Sequence, residues 1–286
     1  MAEFTTFPEH ANGDINVIQS PLLSDFVSEG LRHGWFDNSL GDTMPRSIDP
    51  AQPNLVSDFL TEEELSIRWK QATDTLGVDY ERLVKTTGLL QTDKVIRVTN
   101  ADAGKTIGKA DAYITNVENL PIMLRAADCQ VAFFYDPVLR VIGACHAGFL
   151  GTQKASVANT ALRMYQEFGC SPENLRVAIG PAISGESFVP AEDPNKFDLS
   201  KMYFPHGIKV ELPDGRVGFD IRKTTQRQLI AMAGILEENI EISDIDTQLD
   251  PRFFSFNRTY LESNGTLNDM RRNASIISLQ DVKSNH

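Results

Sequence analysis

The feature that most constrains this chain is a pair of apolar runs, residues 131–135 and 141–145, separated by Asp136-Pro137. Neither run shows the polar-apolar alternation of a strand with one wet face. Asp and Pro favour turns. The spacing therefore predicts a hairpin of two buried strands. A helix is expected next, over residues 151–168, because Ala155, Ala158, Ala161, Leu162 and Tyr165 recur at helical spacing and Gly169 ends the run.

Other segments read less completely. Thr61-Glu62-Glu63-Glu64 has the form of a capping box, so a helix is expected from there to about residue 76, stopped by Gly77. Residues 95–98, 112–115, 175–179 and 274–279 read as strands, and residues 221–233 as a second long helix. Residues 37–57 read as a loop, and 252–264 as a polar aromatic segment. The mixture implies an α+β (mixed α/β) domain with a mixed-sheet core.

The hairpin has chemistry at its open end. Asp128-Cys129 precedes the first strand, and His146-Ala147-Gly148-Phe149-Leu150-Gly151-Thr152 follows the second. A thiol and an imidazole at neighbouring strand ends can bind a soft metal, or act as nucleophile and base. The glycines let the backbone leave the strand abruptly beside His146. Cys145 precedes His146 directly, so on a strand the two point to opposite faces, and Cys145 is expected in the core.

Composition narrows the partners. There are 27 basic and 39 acidic residues, a net charge of −12, which disfavours non-specific binding to nucleic acid or anionic membrane. No apolar run approaches the roughly 20 residues that span a bilayer. Three cysteines at irregular spacing do not form a disulfide framework. With no signal-peptide pattern at the N-terminus, reduced thiols and a cytoplasmic location are expected. Composition sets no oligomeric state.

These motifs resemble those of the laccase-domain family (YfiH-like, once called multicopper polyphenol oxidases). The family carries an ADC motif, a strand pair and then HAGWRGT, where this chain has HAGFLGT. Gly180-Pro181-Ala182-Ile183 resembles the family's GPxI turn. Phe253-Phe254-Ser255-Phe256-Asn257-Arg258 resembles its FFSxRR segment, and Arg272-Asn273-Ala274-Ser275-Ile276-Ile277 its terminal strand. The resemblance implies a sandwich-like core of mixed sheets flanked by helices, over residues 30–282, after an N-terminal segment of residues 1–29.

It also implies a site. Family members bind one zinc through a His-Cys-His set, and Cys129 and His146 match its second and third ligands. Alignment on Asp93-Lys94-Val95 places Gln91 where the first His belongs, as a weaker ligand, while a gapped alignment pairs Gln91 with the family's Gln and deletes the His; either way no His is present. The arginine of HAGWRGT is Leu150, and a late Cys is Asp246. The TRRGG segment has no arginine in its counterpart, Trp35 to Gly41. Asp128, Cys129 and Arg258 are the expected catalytic residues. His33, Phe149 and Arg258 are expected to contact substrate.

Three functions follow. The first is a zinc enzyme acting on purine nucleosides by phosphorolysis or by deamination of adenosine, with a small-molecule substrate. Several copper centres are not expected, because five scattered histidines cannot supply them. The second is a Cys-dependent amidase or hydrolase, of the type that edits peptidoglycan precursors, with Cys129 as nucleophile and His146 as base. The third is a non-catalytic paralogue that binds a ligand or partner.

Overall fold

A computed structural model describes residues 4–44, 60–86, 91–108, 110–190, 206–263 and 271–282. Its strands are β1 (Glu9–Asn12), β2 (Ile15–Ile18), β3 (Leu31–Phe36), β4 (Val84–Thr86), β5 (Val95–Arg97), β6 (Thr106–Ile107), β7 (Ala112–Thr115), β8 (Ile122–Ala126), β9 (Gln130–Asp136), β10 (Val141–Ala147), β11 (Arg176–Ile179), β12 (Lys209–Glu211), β13 (Val217–Phe219), β14 (Ile240–Ile242) and β15 (Asn273–Leu279). The α-helices are α1 (Pro21–Ser24), α2 (Glu62–Leu76), α3 (Phe149–Gln153), α4 (Ser156–Phe168), α5 (Ile221–Ala233) and α6 (Phe256–Glu262).

Two large mixed sheets carry the fold. One runs β1-β2-β3-β15-β8-β4-β6, the other β14-β11-β9-β10-β7-β5. Their facing sides share one core: Leu31, Leu124 and Ile277 from the first sheet meet Phe133, Tyr135 and Ile142 from the second. Helices cover the outer faces. Val157, Ala161 and Met164 of α4, with Leu229 and Ala233 of α5, pack on Ile114, Phe134 and Val177. Ala72 and Leu76 of α2 pack on Phe36, Met123 and Ile276. Every residue of β9 and β10 is buried because each strand has the core on one face and helices on the other. That is why those two runs do not alternate in the sequence. Burying one such large side chain stabilises the fold by about 1.5–3 kcal/mol.

The α2 capping box forms as expected. Thr61 Oγ1 accepts from Glu64 N, and Thr61 N donates to the Glu64 carboxylate at 2.7 Å. Cys145 packs with the helix-side cluster, while its neighbour His146 points the other way along the strand's alternation.

Three expectations are corrected. The helix over residues 151–168 is two helices, because Ala155 takes a left-handed conformation at φ 54°. The break lets Ser156 Oγ hydrogen-bond the Gly151 and Thr92 carbonyls, each at 2.8 Å, which holds the first short helix beside the loop at residues 91–92. The polar aromatic segment contains α6, capped by Ser255, whose side chain accepts from Arg258 N. Within residues 37–57, a 3-10 turn forms at Asn38–Leu40. Residues 45–57 of that expected loop lie outside the described residues. From the segment before residue 30, β1 and β2 extend the first sheet next to β3. Among the described residues no helix is long and apolar enough to cross a membrane.

Candidate active site

Cys129 sits in the short link between β8 and β9, where the chain passes from one sheet to the other. The link is strained: Asp128, a non-glycine residue, has φ 80°. Its carboxylate holds the strain in place. Oδ1 accepts from Thr247 Oγ1 at 2.8 Å, and Oδ2 accepts from Asn257 N at 2.7 Å, at the start of α6. Burial pushes the Asp128 carboxyl above its ordinary range, against those hydrogen bonds. Asp128 thus aims Cys129.

His146 comes from the end of β10, opposite Val131 in the hairpin. On its other side β10 pairs with β7, and His146 N donates to the Asp111 carbonyl at 2.8 Å. That register sets the Asp111 carboxylate against the ring, with Oδ1 3.0 Å from His146 Nδ1. Oδ2 accepts from both Thr92 N and Thr92 Oγ1, at 2.8 and 3.0 Å. The Cys129 sulfur lies near the same ring, close enough to favour its charged form. With Nδ1 held by Asp111, Nε2 is the nitrogen left for the thiol.

Electrostatics follows from these contacts. Burial opposes charge on His146, but the nearby Cys129 sulfur and the hydrogen-bonded Asp111 carboxylate outweigh it and push the imidazole up to about 9. Burial also opposes charge on Asp111. The bonds from His146 and Thr92 prevail and hold its carboxyl below the ordinary range. Asp111 is the functional residue that the sequence reading missed. Its one signal was a lone acid directly before a buried strand, and only the β7–β10 register gives it a partner.

Gln91 is also here. A Cβ added to Gly148 would lie 2.6 Å from Cys129 Sγ and 2.8 Å from Gln91 Oε1, so both groups press on that glycine. The Gln91 amide oxygen accepts from Leu150 N at 3.0 Å and Gly151 N at 3.3 Å. Its two lone pairs are thereby engaged. A catalytic zinc takes three protein ligands. Cys129 and His146 would supply two, and Gln91 would offer as a third only an oxygen already held by backbone donors. Among the described residues, no group of three or more His, Cys, Asp or Glu side chains is placed to hold a metal ion. The donor set does not fit a resident zinc.

A pocket opens over Cys129, walled by Trp35, Phe36, Val131, Pro181 and Phe253, with Asp128, Thr247, Asn273 and Ser275 as polar points. Gly180 makes room for the indole: a Cβ there would collide with Trp35 Nε1, which donates to the Val131 carbonyl at 3.0 Å. Three expected substrate contacts lie elsewhere. The His33 ring is fully buried and turned to Ser20 N, 3.0 Å from Nε2, so it does not line the pocket. Phe149 packs against Phe188 and Phe219 in a separate apolar cluster. The Arg258 guanidinium donates to the carbonyls of Thr247, Gln248, Asp250 and Phe253, and so braces the loop before α6 instead of reaching a substrate. His206 is exposed in a turn.

The family model described as "Multi-copper polyphenol oxidoreductase laccase" matches residues 61–279. The chain belongs to this laccase-domain family. Among curated members, purine nucleoside phosphorylase YlmD of Bacillus subtilis is 28% identical over 174 residues, covering 58% of this chain and 62% of that protein. The mouse purine nucleoside phosphorylase LACC1 is 28% identical over 256 residues, 85% of this chain and 55% of that protein. The match thus spans less than two thirds of either relative. Two solved structures share the fold. YfiH of Bacillus licheniformis has a TM-score of 0.70 at 21% identity, covering 96% of this chain and 99% of that one. YlmD of Geobacillus stearothermophilus has a TM-score of 0.71 at 20% identity, with the same coverage.

Proposed function

We propose that this laccase-domain protein acts on a purine nucleoside bound in the pocket over Cys129. The observation that carries the reading is the Asp111–His146 hydrogen bond set behind Cys129, which itself lines an aromatic-walled pocket. The substrate class comes from the names of the relatives. A flat purine suits walls of Trp35, Phe36 and Phe253. His146 would move a proton at Nε2, and Asp111 would keep Nδ1 protonated and the ring oriented. None of the described residues lining the pocket is Lys or Arg, so phosphate finds no cationic partner among them. This favours water over phosphate as co-substrate.

The test is incubation with adenosine, inosine and guanosine, with and without phosphate, following free base and ammonia. Turnover is expected without phosphate and should be lost in His146→Gln. A second reading, binding without turnover, is favoured by Gln91 at the position of a family ligand. Nucleoside binding with no product would establish it. No binding of any of the three would overturn both.

A further inference from the structure

We propose that Gln91 has turned a metal-ligand position into a backbone clamp, leaving Cys129, His146 and Asp111 as a metal-independent nucleophilic site for an uncharged carbon electrophile.

The clamp is visible from both ends. The Gln91 amide oxygen takes the N–H groups of Leu150 and Gly151, and Lys154 Nζ donates to the Gln91 carbonyl at 2.7 Å. The next residue, Thr92, donates twice to Asp111 Oδ2. Gln91 itself is held at φ 50°, which costs a non-glycine residue free energy unless its surroundings fix it. A carboxamide has no other lone pair to offer, since its nitrogen only donates. The loop that would present a third ligand is instead part of the support for Asp111.

What remains has the parts of a nucleophile, its base and an orienting acid. Asp111 is the positioning residue: it touches His146 and Thr92, and the pocket is lined by Cys129 without it. Cys129 is half-buried, whereas Cys145 and Cys170 are buried, so one thiol is open to a reagent. With no cation among the described lining residues, the electrophile is uncharged. With an ester, the sulfur–acyl carbon bond forms while His146 holds the thiol's proton at Nε2. The carbon–oxygen bond then breaks, and His146 returns the proton to the leaving alcohol. Water gives a proton to His146 and attacks the thioester, releasing the acid and the thiol. The sum is ester plus water giving acid plus alcohol.

The test needs no nucleoside, so its failure is separate from failure of the nucleoside reading. Full-length protein stripped with EDTA is treated with iodoacetamide, with and without equimolar zinc, and labelling is located by mass spectrometry. In that reaction the sulfur–carbon bond forms and iodide leaves. Wild type should label at Cys129 at the same rate in both arms, and Cys129→Ser should remove the label. Gln91→His should label quickly without zinc and at least tenfold more slowly with it, because imidazole supplies the third donor. His146→Gln and Asp111→Asn should each label at least tenfold more slowly than wild type, with circular dichroism confirming the fold. In the same proteins, p-nitrophenyl acetate should give a burst of one equivalent of p-nitrophenolate that Cys129→Ser abolishes. Zinc protection of wild-type Cys129 would overturn the proposal. So would labelling that is unchanged in well-folded His146→Gln and Asp111→Asn.

Discussion

His33 and His146 are both buried in the sheet core, at 0% and 2% exposure, and the fold treats them in opposite ways. His33 meets ring edges and one donor. Its ring packs at 81° against Trp35 and 84° against Phe133, and Nε2 accepts from Ser20 N. Nδ1 has no partner among the described groups. Burial, aided by the charge of His10, lowers its pKa to about 3, so it is neutral. The Ser20 N–H needs the lone pair that protonation would take away. His146 has Asp111 on one nitrogen and Cys129 near the other, and its pKa rises to about 9. Burial alone makes a histidine inert. The Cys129 sulfur nearby and a buried carboxylate at 3.0 Å together reverse that and make the ring a proton carrier.

The largest expected effect comes from removing that carboxylate. Asp111→Ala should cost about 3–5 kcal/mol, the usual result of leaving one partner of a buried ion pair alone. Urea denaturation at pH 7 measures it. A cost below about 1 kcal/mol would mean that the two histidines are not held differently.

The second effect is pH-dependent and belongs to His33. Its folded pKa of about 3 lies below the unfolded value of 6.5. Between those values the unfolded chain binds the extra proton, so stability rises with pH and falls as pH drops from 6.5 towards 3. The slope is about 1.4 kcal/mol per pH unit well inside the window, or about 3 kcal/mol by pH 4. His33→Phe should remove that much of the acid destabilisation. The readout is urea midpoints at pH 7, 5.5 and 4, and parallel pH profiles for the two proteins would contradict it.

The smallest effect is a control outside both regions. Thr61→Ala removes the α2 cap and should cost about 1 kcal/mol. It should leave the acid slope and the labelling of Cys129 unchanged. A change in either would show that the regions are not local.

Much of the frame was legible because burial and local chemistry leave marks along the chain. The unbroken apolar runs of β9 and β10, the Thr61–Glu64 box and the opposite orientations of Cys145 and His146 all rest on contacts within a few residues. The gathering of Cys129 and His146 was legible for the same reason, since a hairpin returns its ends to one place. The break at Ala155 was not, because alanine has no local reason to adopt a left-handed conformation. Ser156 bonding to Thr92, 64 residues away, supplies the reason. The carbonyls that hold Arg258 belong to a loop whose path no periodicity reports.

By itself, then, the sequence determined the family, the mixed-sheet class and a thiol and imidazole at one end of a hairpin. Hydrophobic pattern and motif spacing are properties of the order of residues. Only the tertiary structure decided what those groups could be. Asp111 reaches His146 through the pairing of β7 with β10, and Gln91 reaches Leu150 and Gly151 across 59 and 60 residues. Whether an imidazole is inert or active, and whether an amide oxygen is free or held, depends on donors and acceptors within about 3 Å, and those neighbours are chosen by register and packing.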